Sequence, residues 1–96
     1  MTATLTHWIN GAAVPGGSAR FGDVYNPAAG EAVARVPFAN PDEVDSAVQA
    51  AAEAAAGWAA TPPIQRARVI FAFKELVESR KEDLARVVTR EHGKVL

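Results

Sequence analysis

Asn40-Pro41-Asp42-Glu43 divides the chain into two halves of different character. Asn40 offers a side-chain oxygen that can N-cap a helix. Pro41 suits the first helical position, where an N–H would have no partner. Glu43, at the third position, can reach back to the Asn40 amide. Asp42 and Asp45 complement the positive end of the helix dipole. A helix therefore starts here. Val44, Val48, Ala51, Ala55 and Trp58 follow on one face at spacings of three and four. That face is narrow and built mostly from alanine, which suits close approach to another helix or sheet. Gly57 marks fraying near the C-terminal end.

Downstream, Thr61-Pro62-Pro63 starts a second helix by the same logic, with Thr61 as its N-cap. Val69, Phe73, Leu76 and Val77 carry its apolar stripe, supported by Ile70. Residues 79–83 are entirely polar, and Leu84, Val87 and Val88 resume the stripe. This predicts a kink or short break near Arg80, giving one bent helix or two. His92-Gly93 is the stop, because glycine at C′ adopts the left-handed conformation at little cost.

Upstream, glycine, proline and β-formers dominate. Asn10-Gly11 lies between His7-Trp8-Ile9 and Ala12-Ala13-Val14, the strongest local signal for a hairpin, since both residues tolerate positive φ. Pro15-Gly16-Gly17-Ser18 reads as a loop. Phe21 to Tyr25 reads as a short strand and Asn26-Pro27-Ala28-Ala29-Gly30 as a turn. Glu31 to Phe38 reads as another strand, with Pro37 placing it at an edge or ending it. The fold class expected is an α+β segment: an N-terminal β-hairpin and short strands over residues 1–39, then two to three helices over residues 40–96.

Composition bounds the result. The chain has 96 residues, one domain or part of one. Hydrophobic residues make up 49%, but 21 of them are alanine, which buries little area. The larger apolar residues must supply the core, and a chain this short buries a limited share of its surface. Marginal stability, or dependence on a partner surface, is the expectation. The net charge of −1 gives no basic field for nucleic acid. Residues 41–57 hold only acids and residues 66–94 hold interleaved bases and acids, a pattern of dipole complementarity and solvated faces. No run approaches the roughly 18 apolar residues of a membrane span. The amino terminus has neither a basic n-region nor an apolar h-region, so a cytoplasmic location is expected.

Chemistry is sparse. The absence of cysteine excludes disulfides, a cysteine nucleophile and thiolate metal sites within these residues. His92 most simply meets the carbonyls at a helix end. Glu82-Asp83 are helix neighbours, which point apart and cannot work as an acid–base pair. Gly93-Lys94 lacks the rest of a phosphate-binding loop, and Gly16-Gly17 precedes no helix. Trp8 and Trp58 read as packing residues. No catalytic, cofactor-binding or metal-binding residue is assigned.

The order of signals is more specific than any one of them. Trp8-Ile9-Asn10-Gly11 precedes Tyr25-Asn26-Pro27-Ala28-Ala29-Gly30-Glu31, then Val36-Pro37 and Glu43-Val44-Asp45-Ser46-Ala47-Val48. Trp58-Ala59-Ala60-Thr61-Pro62-Pro63, Arg66-Ala67-Arg68 and Glu91-His92-Gly93-Lys94 follow. From about Trp8 to Leu96 this series resembles the amino-terminal portion of NAD(P)-dependent aldehyde dehydrogenases. Residues 68–77 and 91–95 resemble the methylmalonate-semialdehyde dehydrogenase branch, whose members are CoA-acylating. One departure is Ala55-Ala56, where the family usually carries a Phe-Pro pair; losing a buried phenylalanine costs several kcal/mol.

The resemblance implies the N-terminal part of a larger α/β fold, with a cofactor domain, a catalytic domain and an oligomerisation arm. The helical part would pack on the cofactor-binding domain, with the remainder of the dehydrogenase fold as its partner and a homo-oligomeric parent. NAD and CoA would serve the parent, and neither is expected to bind this segment alone. The nucleophilic cysteine and oxyanion-binding asparagine of the family lie later than these residues. The chain is therefore expected to be an inactive, structural N-terminal piece; the competing expectation is a helical interaction module of the same ancestry.

Overall fold

The computed structural model describes residues 2–96. Its first clear feature is the hairpin of β2 (His7–Ile9) and β3 (Ala12–Val14), antiparallel with Trp8 opposite Ala13. Asn10 at φ 53° and Gly11 at φ 73° form its two-residue connection. Both central residues carry the positive φ that matches the twist of paired strands.

β4 (Phe21–Tyr25) and β5 (Ala32–Pro37) form a second antiparallel pair, with Asp23 opposite Arg35 and an irregularity at Val24/Tyr25. Their turn is held by Asn26, whose N–H donates to the Glu31 carbonyl at 2.8 Å and whose side chain accepts from the Ala28 N–H at 2.9 Å. A strand that sequence patterning does not reveal, β1 (Ala3–Thr4), pairs parallel to Ala34 and Arg35. The sheet order is β1-β5-β4, so β5 is central rather than an edge strand. Pro37 is tolerated there because β1 reaches only Ala34 and Arg35 and the strand stops at the proline.

α1 (Pro41–Ala60) opens with the complete capping box: the Asn40 side chain accepts from the Glu43 N–H at 2.8 Å, and the Glu43 carboxylate accepts from the Asn40 N–H at 3.1 Å. The helix runs through Gly57 without a break. Thr61 closes α1 instead of opening α2. Its hydroxyl donates to the Gly57 carbonyl at 2.8 Å and its N–H to Trp58 at 3.1 Å. The N-cap of α2 (Pro63–Ser79) is Pro62, which has no capping side chain. Each residue before a proline is pushed to extended backbone, so Thr61 and Pro62 both lie outside the helix and Thr61 is one position too early.

The break falls at Arg80 (φ −113°, ψ 22°), after which α3 (Lys81–His92) begins. Gly93 ends α3 at φ 83°, its N–H donating to the Thr89 carbonyl at 2.8 Å. A Cβ on Gly93 would lie 3.4 Å from Pro27, so the end of α3 returns to the β4–β5 turn.

These elements do not close a core. Ala34, at 8% exposure, and Pro37 are the two buried residues among those described, both on β5. The radius of gyration is 17.2 Å, against about 12–13 Å for a compact chain of this length. Surface area is 7736 Å², and a compact protein of this mass would expose about 5,300 Å². About 2,400 Å² is thus surface that a closed fold would have covered.

Candidate functional site

Two features distinguish the molecule: a polar joint where the hairpin meets α1, and an open apolar helical face. At the joint, Glu43 does more than cap. Its Oε2 accepts from the Gly17 N–H at 3.2 Å and lies 2.8 Å from His7 Nε2. His7 Nε2 has no water contact, and its approach to Glu43 is close but poorly aligned for a hydrogen bond. One carboxylate therefore ties β2, the loop after β3 and the first turn of α1. Gly16 allows this by bringing the loop against Pro37.

The Asn40 N–H holds the Glu43 carboxyl below its ordinary 4.5; partial loss of water opposes this, and the Gly17 N–H and His7 add to the lowering. A carboxyl lowered by folding contributes stability that is complete above 4.5 and is lost as pH falls through the folded value. Carboxyl-carbon NMR is expected to give Glu43 a midpoint below 4.5, and Glu43→Gln is expected to remove that acid-side loss. A Glu43 midpoint at or above 4.5 would contradict the joint.

On either side of Trp8, which is 73% exposed, run two open grooves of about 360 and 320 Å³. Ala47, Ala50, Ala51 and Ala54 of α1 floor the first, and Val44 and Val48 edge the second. A third hollow, of about 310 Å³, lies between the sheet (Leu5, Val24, Val33) and Arg90-Glu91 of α3. The apolar stripe of α2 and the ends of α1 and α3 are also open: Trp58, Val69, Phe73, Leu76, Leu84 and Val88 are all exposed.

The residues singled out in the sequence do not converge. His92 sits in the last turn of α3, ahead of Gly93, and Lys94 follows the helix. Glu82 and Asp83 both approach Arg86, at 3.8 and 3.7 Å, a solvated helix-surface arrangement. Arg86 stands four and three positions after them, so each carboxylate approaches a different nitrogen of its guanidinium. Among the described residues, no three His, Asp or Glu side chains gather where they could hold a metal. No described helix is long and apolar enough to cross a membrane. The His7–Glu43 contact is what the sequence reading missed: Glu43 was accounted for by the capping box, and no local pattern links it to a strand so far away.

The aldehyde dehydrogenase family profile matches residues 14–96. Malonate-semialdehyde dehydrogenase of Pseudomonas aeruginosa is 41% identical over 93 residues, covering 97% of this chain and 18% of that protein. Malonate-semialdehyde dehydrogenase 2 of Geobacillus thermodenitrificans is 44% identical over 94 residues, covering 98% and 20%. A solved Sinorhizobium meliloti structure, described as a methylmalonate-semialdehyde dehydrogenase complexed with NAD, superposes with a TM-score of 0.91 at 39% identity. It covers 96% of this chain and 19% of that one. The methylmalonate-semialdehyde dehydrogenase of Oceanimonas doudoroffii gives 0.87 at 40% identity, covering 96% and 18%. The chain spans about a fifth of the length of the relatives it matches.

Proposed function

The chain belongs to the aldehyde dehydrogenase family, and from that premise we propose that it is the structural amino-terminal segment of an NAD-dependent semialdehyde dehydrogenase. The substrate would be malonate or methylmalonate semialdehyde, after the relatives, with CoA as acyl acceptor and a homo-oligomeric parent. Residues 40–96 would pack on the cofactor-binding domain, and residues 1–39 would brace them through the Glu43 joint. The observation that carries this reading is a fold shared with these dehydrogenases that leaves its apolar helix face uncovered.

The residues present do not fit the cofactor. The connection from β5 into α1 is Phe38-Ala39-Asn40, which has no glycine to let a phosphate approach the backbone. The N–H groups at that helix start face Asn40 and Glu43, and the carboxylates of Asp42 and Glu43 would repel a pyrophosphate. NAD, and the reacting groups with it, belong to residues outside this segment.

A graft tests the reading. This chain replaces the matching residues of the Pseudomonas aeruginosa relative, and NADH formation from malonate semialdehyde and CoA is followed at 340 nm. The graft is expected to turn over, and the 96-residue chain alone to give no NADH. Turnover by the purified chain would overturn the structural role; an inactive but assembled graft would overturn the proposed membership of the semialdehyde branch.

A further inference from the structure

β1 (Ala3–Thr4) cannot be held in the sheet by its backbone alone. It is two residues long and exposed, and ordering it costs more than its few hydrogen bonds return. Yet it is paired: Thr4 stands beside Arg35, and the Leu5 N–H donates to the Arg35 carbonyl at 2.9 Å. The Arg35 side chain supplies the missing hold. Its Nε donates to Thr4 Oγ1 at 3.1 Å, and its guanidinium carbon lies 4.1 Å from the centre of the Phe21 ring. One side chain thus spans the sheet, from Phe21 on β4 across β5 to Thr4 on β1. Stacking on the ring keeps the planar fork aimed at the threonine. Asp23 stands directly opposite Arg35 on β4, yet among the described residues the two form no ion pair. A second resting place for the guanidinium therefore lies within reach.

We propose that β1 is a strap and that the Arg35 side chain is its latch, closed when stacked on Phe21 and bonded to Thr4, open when turned to Asp23. What the strap covers lies on the other face of the sheet, because successive residues of a strand point to opposite sides. Ala3 stands beside Ala34, one of the two buried residues, and Ala3 and Leu5 wall the hollow that faces Arg90-Glu91. Opening the latch bares Ala34 and removes that wall.

Amide exchange of Leu5, followed by NMR in the 96-residue chain, reads the strap. The Asn26 N–H, bonded to the Glu31 carbonyl at the β4–β5 turn, is the reference. Phe21→Leu keeps an apolar side chain on β4, a strand that is not a neighbour of β1. It is expected to speed Leu5 exchange about two- to fivefold, the worth of an exposed cation–π contact, and to leave Asn26 unchanged. Thr4→Val keeps the side-chain shape, removes the acceptor and is expected to speed Leu5 as well. Asp23→Asn removes the competing charge and is expected to slow it. Leu5 exchange unmoved by Phe21→Leu or by Thr4→Val, or moved only in step with Asn26, would overturn the latch. So would an Asp23→Asn chain whose Leu5 exchanges as fast as in wild type or faster. The outcome is independent of whether the graft turns over.

Discussion

Phe73→Ala is expected to cost the dilute, monomeric chain less than about 1 kcal/mol and the grafted dehydrogenase about 3–5 kcal/mol. In the free chain Phe73 is mostly in contact with water. Truncating it removes little buried area, and the higher helix propensity of alanine offsets part of that loss. In the graft the same ring would sit under the remaining four-fifths of the fold. Its removal would then forfeit the transfer free energy of the side chain and leave a cavity. Chemical denaturation of wild type and variant in both settings measures the two differences. Equal costs in the two settings would mean that the stripe is not covered on assembly.

Gly16→Ala carries the second large effect. A Cβ at Gly16 would stand 2.4 Å from Pro37 Cβ and 2.8 Å from its Cγ. The proline ring cannot swing away as a long side chain would, and Pro37 is held opposite Phe21 in the β4–β5 pair. The loop must therefore lift. Overpacking of this kind costs about 1–3 kcal/mol, and here it separates the hairpin from the sheet. Gly17 would withdraw its N–H from Glu43, and His7 would lose its place beside the same carboxylate. NMR is expected to show the His7 and Gly17 signals shifting together while those of α3 stay put. Unchanged His7 signals in Gly16→Ala would contradict the coupling of the hairpin to α1 through this loop.

The parts of the fold that were legible in the sequence are those governed by near neighbours. Asn40 and Glu43 satisfy each other across three positions, Asn10-Gly11 needs only its own φ angles, and Gly93 ends a helix by its own conformation. The run of polar residues at 79–83 marks the break at Arg80 for the same reason. What was misread depends on distant or competing contacts. β1 is two residues long and exists only through its pairing with β5, which also makes β5 central. Thr61 has the right chemistry for an N-cap, but two prolines delay the helix and its hydroxyl turns back to Gly57. The Glu43 joint was half legible: its helix side is local, and its hairpin side depends on tertiary structure. The missing core was foreshadowed by the 21 alanines, since a face of methyl groups can approach a neighbour closely yet covers little area by itself.

Amide hydrogen exchange across α2, residues 69–77, compared between the dilute chain and the graft, tests most directly whether this helix is an uncovered part of a dehydrogenase. With few buried contacts, those amides are expected to exchange quickly in the free chain and to gain protection of several orders of magnitude in the graft. Equal protection in both would contradict it, because α2 would then be held by the 96 residues alone.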